Sequence, residues 1–201
     1  MSAQEIEVSG NKIWAFRMSY AGELGWEFHM PFTACADVYA ALWRAGKEHG
    51  IADYGSFAMN VMRMEKGFKG AGELTNEVTL PEADVMRFVK MDREFEGKAQ
   101  TQTSLDDDPP WTCAYLEIEP DGVVDGHGGE AVIHEGKVVG STASVAYGHT
   151  VGKILAFAYI KPVTADPGTM LTVVIAGEPR VARVLDAPAY DPQSLLPRTD
   201  A

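Results

Sequence analysis

Residues 17–30 read Arg-Met-Ser-Tyr-Ala-Gly-Glu-Leu-Gly-Trp-Glu-Phe-His-Met. Just upstream, Trp14, Phe16, Met18 and Tyr20 recur at every second position, which is the period of a β-strand. Trp26 to Met30 is a second short strand, ended by Pro31. Between the two, Gly22 to Gly25 reads as a tight turn with Glu23 and Leu24 at the tip. That register sets Gly22 against Gly25, Ala21 against Trp26 and Tyr20 against Glu27. Directly opposed side chains lie roughly 5 Å apart on one face of a sheet. Trp26, Phe28 and Met30 take the other face. Both faces are rich in apolar residues, so Glu27 is expected as a carboxylate on a substantially buried surface.

A buried carboxylate is costly unless donors meet it. One reading is structural, with Glu27 on an edge strand in solvent or bonded to Arg17 or a backbone amide. The other is functional, with the carboxylate placed for an N–H-rich ligand. A guanidine-like edge, such as that of a pterin, presents two parallel donors to one carboxylate, and Tyr20 would pack beside it.

The rest of the chain frames this hairpin. Its 201 residues carry 46% apolar and 23% charged side chains, the balance of a soluble globular protein with a sizeable core. A net charge of -12 lacks the excess of cations that nucleic acid or an anionic membrane requires. No basic segment followed by an apolar run opens the sequence, and Ile154 to Ile160 is too short to span a bilayer. Cys35 and Cys113 match no metal or redox spacing; two cysteines could form one disulfide, but reduced, buried thiols are the favoured reading. The expected location is cytoplasmic.

Thr33 to His49 carries Val38, Leu42 and Ala45 at helical spacing and stops at Gly50. A second helix of about ten residues follows a cap at Ser56 and ends by Gly67. Residues 68–79 are Gly-rich and irregular. Pro81 is expected to open a short helix through Arg87, and another follows Gly97. Asp106-Asp107-Asp108-Pro109-Pro110 marks the clearest boundary. Beyond it come six short β-rich runs, 113–118, 130–134, 137–144, 154–160, 170–175 and 179–185, separated by Gly-containing turns. This pattern predicts a small barrel or sandwich. Asp125, His127 and Glu130 stand close together, but their glycines mark a loop with no fixed ligand spacing. Met59, Met62 and Met64 read as core filler. Arg63 could hold a ligand's carboxylate tail or pair with Glu65 or Glu73.

Several motifs now stand in order. Arg-x-x-Tyr-x-Gly-Glu-x-Gly-Trp-Glu spans Arg17 to Glu27. Arg-Met-Glu-Lys-Gly spans Arg63 to Gly67, and Asn-Glu-Val-Thr-Leu-Pro-Glu-Ala spans Asn76 to Ala83. Phe-Glu-Gly-Lys spans Phe95 to Lys98. Gly140 to Ser144 and a Pro-x-Tyr-Asp-Pro element at Pro188 to Pro192 follow. Together they resemble the aminomethyltransferase family, which includes the glycine cleavage T protein and the C-terminal parts of dimethylglycine and sarcosine dehydrogenases. The resemblance covers essentially the whole chain.

The resemblance implies an α+β fold. Residues 1–105 would be the C-terminal half of a folate-binding domain, and 106–201 a C-terminal antiparallel β-barrel of jelly-roll-like type. It implies tetrahydrofolate as ligand, bound by Tyr20, Glu27 and Arg63, with FAD confined to an upstream domain outside this chain. Ala58-Met59-Asn60 stands where T proteins carry Ala-Arg-Asp, a departure that resembles the dehydrogenase branch. The family's catalytic aspartate matches no residue here, so no catalytic residue is assigned. The implied function is the C-terminal part of a folate-dependent aminomethyltransferase module, fused naturally to a flavin-dependent dehydrogenase of dimethylglycine or sarcosine. The alternatives are a non-catalytic folate-binding or assembly module, or a folate-dependent demethylase of another methyl donor. The chain is expected to be a fragment or split subunit. Its partners would be folate and an upstream FAD/folate half-domain or oligomer partner, with no nucleic acid and no membrane.

Overall fold

The computed structural model describes residues 2–121 and 126–198. Asp125 and the end of the C-terminal tail lie outside the described residues. The chain forms two compact units, Met1–Arg63 with Gln193–Ala201, and Met64–Pro192.

The first unit holds a three-stranded antiparallel sheet in sequence order: β1 (Ala3–Val8), β2 (Asn11–Phe16) and β3 (Glu27–His29). The expected strand material between Ile6 and Tyr20 is therefore two strands. Ser9 and Gly10 turn between them with φ of 49° and 75°, the left-handed pair that a two-residue hairpin demands. One face of the sheet packs Ile6, Val8, Ile13, Phe28 and Met30 against Ala34, Val38 and Leu42. The last two lie on α1 (Cys35–Gly46). The helix expected over Thr33 to His49 is thus an α-helical centre between two 3-10 turns, and Gly50 closes it at φ 73°. The helix α2 (Ser56–Glu65) forms with the expected ten residues, Ser56 being its first residue, and Gly67 follows its end at φ 66°.

In the second unit, residues 66–97 run as turns with one 3-10 segment before α3 (Lys98–Asp106). The helix expected from Pro81 to Arg87 does not form. Thr79 and Glu82 make the reciprocal bonds of a helix start, with Thr79 N and Oγ1 both donating to Glu82 Oε2 at 2.8 Å. Asp84 then turns left-handed at φ 51°, which no helix continues through, and only a 3-10 turn at Met86–Phe88 follows.

All six β-rich runs form strands: β4 (Thr112–Ile118), β5 (Ala131–His134), β6 (Lys137–Gly148), β7 (Lys153–Ile160), β8 (Met170–Ile175) and β9 (Glu178–Leu185). They close into a barrel in the order β4-β7-β6-β5-β8-β9, with β9 pairing back onto β4 and every pair antiparallel. Alternate residues fill it, among them Leu116, Ile118, Val132, Ile154, Ala156, Ile160, Val173 and Val184. Glu135-Gly136 and Ala176-Gly177 repeat the left-handed pair at two of its hairpins.

The outer faces of β4 and β7 are covered as well, which is why Ile154 to Ile160 reads as an unbroken apolar run. The cover is the segment before the barrel. Tyr115 Oη donates to Met64 O at 2.6 Å, Tyr159 Oη to Glu73 O at 2.6 Å, and Cys113 N to Glu82 O at 2.7 Å. The two family-like motifs at 63–67 and 188–192 meet here. Lys66 Nζ donates to Asp191 Oδ2 at 2.7 Å and to Asp191 O at 2.6 Å, and Tyr190 N donates to Glu65 O. Glu65 Oε1 accepts from Thr150 N at 2.6 Å. Among the described residues no helix is long and apolar enough to cross a membrane.

Candidate functional site

The opening hairpin forms with a different register. Phe16 opposes Glu27, Ala15 opposes Phe28 and Trp14 opposes His29, so Tyr20 is not paired with Glu27. Strand β2 ends at Phe16; Arg17 N makes one more bond, to Ser2 O at 2.8 Å, and Met18 N then donates back to Phe16 O at 3.0 Å. What looked like a two-residue tip is a loop over 17–26. Its packing is tight where it doubles back: a Cβ at Gly25 would stand 2.8 Å from Ser19 Cβ, so only glycine fits without a shift.

The loop nevertheless brings Tyr20 and Glu27 to one place. Both line a cavity of about 550 Å³, with Arg17, Met18, Ser19, Glu23 and Gly25 from the same loop and Pro197 and Arg198 from the tail. That volume is in the range of small-molecule sites. Glu27 is not buried, since half of its side chain is exposed and His29 Nε2 lies 3.6 Å from its Oε2. The correction follows from the register: the face that carries Glu27 also carries Trp14 and His29, and α1 covers the opposite face. The cavity therefore combines two guanidinium groups, two carboxylates, a phenol and a hydroxyl. It offers acceptors for an N–H-rich ring edge and cations for a carboxylate-bearing tail.

Arg63 stands elsewhere. It is buried, at 4% exposure, it does not line this cavity, and its Nε donates to Asn60 Oδ1 at 2.9 Å. Arg198 is the residue sequence reasoning missed, because nothing in an irregular Pro-rich tail marks it. Arg17 was available as the first letter of the hairpin motif.

The loop at His127 has a structural explanation. The Glu130 carboxylate accepts from the His127 and Gly128 amides at 2.7 and 3.0 Å and from the Thr142 hydroxyl. Burial alone would raise the Glu130 pKa, but these bonds outweigh it and the net shift is downward. Among the described residues no three His, Cys, Asp or Glu side chains are grouped to hold a metal. Cys113 is buried and its thiol is pushed up to about 12 by that burial, whereas Cys35 is exposed, against the expectation of two buried thiols.

Comparison with known proteins adds a lineage to this geometry. Residues 1–93 match the model of the GCVT N-terminal domain, and residues 112–191 match that of the glycine cleavage T-protein C-terminal barrel domain. A mitochondrial dimethylglycine dehydrogenase from Mus musculus is 33% identical over 191 residues, which are 94% of this chain and 22% of that protein. An aminomethyltransferase from Saccharopolyspora erythraea is 32% identical over 92% of this chain and 51% of its own length. The crystal structure of glycine cleavage system aminomethyltransferase T from Bartonella henselae superposes with a TM-score of 0.83 at 19% identity, covering 96% of this chain and 53% of that one. The chain thus spans between about a fifth and about half of the length of these proteins.

Proposed function

The chain belongs to the glycine cleavage T-protein family of aminomethyltransferases, and from that premise we propose that the cavity at 17–27 binds tetrahydrofolate. The observation that carries this reading is that Tyr20 and Glu27 share one cavity with two arginines although they are not strand partners. Glu27 accepts the paired N–H groups of the pterin edge, and Tyr20 packs on or hydrogen-bonds beside the ring. Arg17 and Arg198 suit the carboxylates of the tail. Arg63 enters as a positioning residue, because its bond to Asn60 fixes the last turns of α2.

When bound, the folate accepts a one-carbon unit. This chain's contribution is orientation, holding the accepting amine at high effective concentration. We infer that the parent module serves oxidative N-demethylation of dimethylglycine or sarcosine, a reading supported by the dehydrogenase relative. Its proposed partner is the rest of such a module, with FAD bound there, or a second copy. The relatives' greater length supports this, as do Phe32 and Phe57, which are 91% and 90% exposed. We propose that descent divides the chain at 105/106, which falls between the two family models. A cytoplasmic location is proposed from the two free thiols.

The acids lining the cavity among the described residues are both glutamates, Glu23 and Glu27. That favours, as a second reading, a folate-binding or assembly module without its own proton-handling aspartate. Titration of tetrahydrofolate against the wild type, Glu27→Gln and Tyr20→Phe tests the first point. Saturable binding is expected, weakened about tenfold or more in Glu27→Gln by loss of a charge-assisted pair. Equal binding by Glu27→Gln and the wild type would remove the pterin role. Turnover once a flavin-bearing partner is supplied favours the enzyme, and binding without turnover favours the second reading.

A further inference from the structure

The second unit contains a cavity of its own, about 310 Å³, between the segment before the barrel and the outer face of β4, β7 and β9. Its apolar floor includes Tyr115 and Phe157, whose ring centroids are 5.0 Å apart. Four charged residues complete the lining: Lys69, Asp84, Arg87 and Asp186.

These charges are unevenly satisfied. Lys69 Nζ donates to Asp84 Oδ2 at 2.9 Å and to Asp84 O at 3.1 Å, which uses two of its three protons. The Lys69 side chain is 9% exposed and that of Asp84 is 63% exposed, so the ammonium is the inner member of the pair. It lies 6.0 Å from the centroid of the Phe157 ring. Asp84 reaches it from a left-handed backbone at φ 51°, a conformation that costs energy for a residue other than glycine and is held where geometry is over-determined. Arg87 rests on the Phe88 ring at 4.6 Å and has no ion pair among the described residues, and neither has Asp186. Both are exposed.

We propose that this cavity binds a small zwitterion, a molecule carrying one carboxylate and one ammonium a few atoms apart. The carboxylate meets Arg87 and the remaining Lys69 proton, and the ammonium meets Asp186. A simple anion would face Asp84 and Asp186, and a simple cation would face Lys69 and Arg87. A neutral ligand would leave Arg87 and Asp186 unmatched. The volume sits at the lower end for ligand sites, which limits the molecule to amino-acid size. Cys113 also lines the wall, but it is a buried neutral thiol, so the site binds and does not react. This proposal is independent of the folate reading, since the two cavities share no residue.

The test is an amide-shift titration of the isotope-labelled full chain with L-alanine, and with propionate and ethylammonium as probes that each keep one of its charges. L-alanine is expected to give saturable shifts at Lys69, Arg87, Thr112 to Tyr115 and Asp186. Propionate and ethylammonium should bind at least about tenfold more weakly, the cost of losing one charge-assisted contact. Arg87→Gln and Asp186→Asn alter exposed side chains and leave the fold intact. Each should weaken L-alanine about tenfold, and Asp186→Asn should abolish the preference over propionate. No saturable shift at these residues, propionate binding as tightly as L-alanine, or unchanged affinity in Arg87→Gln would each overturn the proposal.

Discussion

Replacing Lys66 by Met tests what holds the second unit together. The Lys66 side chain is 0% exposed and that of Asp191 is 9% exposed, so the pair lies almost wholly out of water. Lys66 Nζ meets two oxygens of one residue, the Asp191 carboxylate at 2.7 Å and its backbone carbonyl at 2.6 Å. Asp191 holds both oxygens there from a left-handed backbone at φ 42°. Methionine keeps the shape of the stem and removes the charge. Asp191 then keeps a desolvated carboxylate without the Lys66 ammonium, and breaking a buried pair in this way costs about 3–5 kcal/mol. For a unit of this size that lowers the melting temperature by roughly 10–20 °C. Removing both charges in Lys66→Met with Asp191→Asn should recover at least half of the loss, because the desolvation penalty disappears with the pair. Scanning calorimetry of the three proteins reads this directly. A loss below about 1 kcal/mol in Lys66→Met, or a double variant no better than the single, would refute the argument that the charge drives the cost.

Three further outcomes are expected. Ala176 occupies a left-handed position at φ 54° beside Gly177, so Ala176→Asn should raise the barrel's melting temperature, with a gain of about 0.5–1 kcal/mol seen by calorimetry. The lowered pKa of Glu130 gives stability that is fully present above its ordinary value of 4.5 and is lost as pH falls through the folded value. Thr142→Val, which removes a hydroxyl bonded to that carboxylate, should therefore cost about 1–2 kcal/mol in urea unfolding at pH 7, and the gap should narrow in acid. Alkylation with iodoacetamide should modify exposed Cys35 in the native protein, and Cys113 only after unfolding, as read by mass spectrometry.

The barrel is legible in the sequence because its signals are local. Alternation marks β8 and β9, and the Glu-Gly pair between β5 and β6 and the Ala-Gly pair between β8 and β9 fix those turns without help from distant residues. The helices α1 and α2 are legible for the same reason, through their apolar spacing and their glycine stops. The register of β2 and β3 is not. Gly22 and Gly25 look like the flanks of a tight turn, yet Gly25 is glycine because Ser19 lies against it, a contact invisible along the chain. The candidate site was half legible. Tyr20 and Glu27 belong to a readable motif, whereas Arg198 joins them only through the folded path of the tail. Pro81 suggested a helix that Asp84 ends, since a left-handed aspartate leaves no mark on the apolar period.

The two divisions of this chain also carry different information. The GCVT N-terminal model runs through residue 93, while the compact units part between Arg63 and Met64. One stretch of the inherited domain therefore packs with the barrel. The reason lies in donors on the barrel's outer face: Tyr115, Tyr159 and the Cys113 amide donate there to the carbonyls of Met64, Glu73 and Glu82. Each such group left without a partner in the interior would cost about 1–3 kcal/mol. The Arg-Met-Glu-Lys-Gly motif straddles the break accordingly. Arg63 braces α2 through Asn60, while Glu65 and Lys66 tie the barrel loop at Thr150 and the chain at Asp191. Glu65 and Lys66 in that motif thus act as a clamp, and substitutions of these two should register as stability. Substitutions at Tyr20, Glu27 and Arg198, half-open and joined by a cavity, should register as binding.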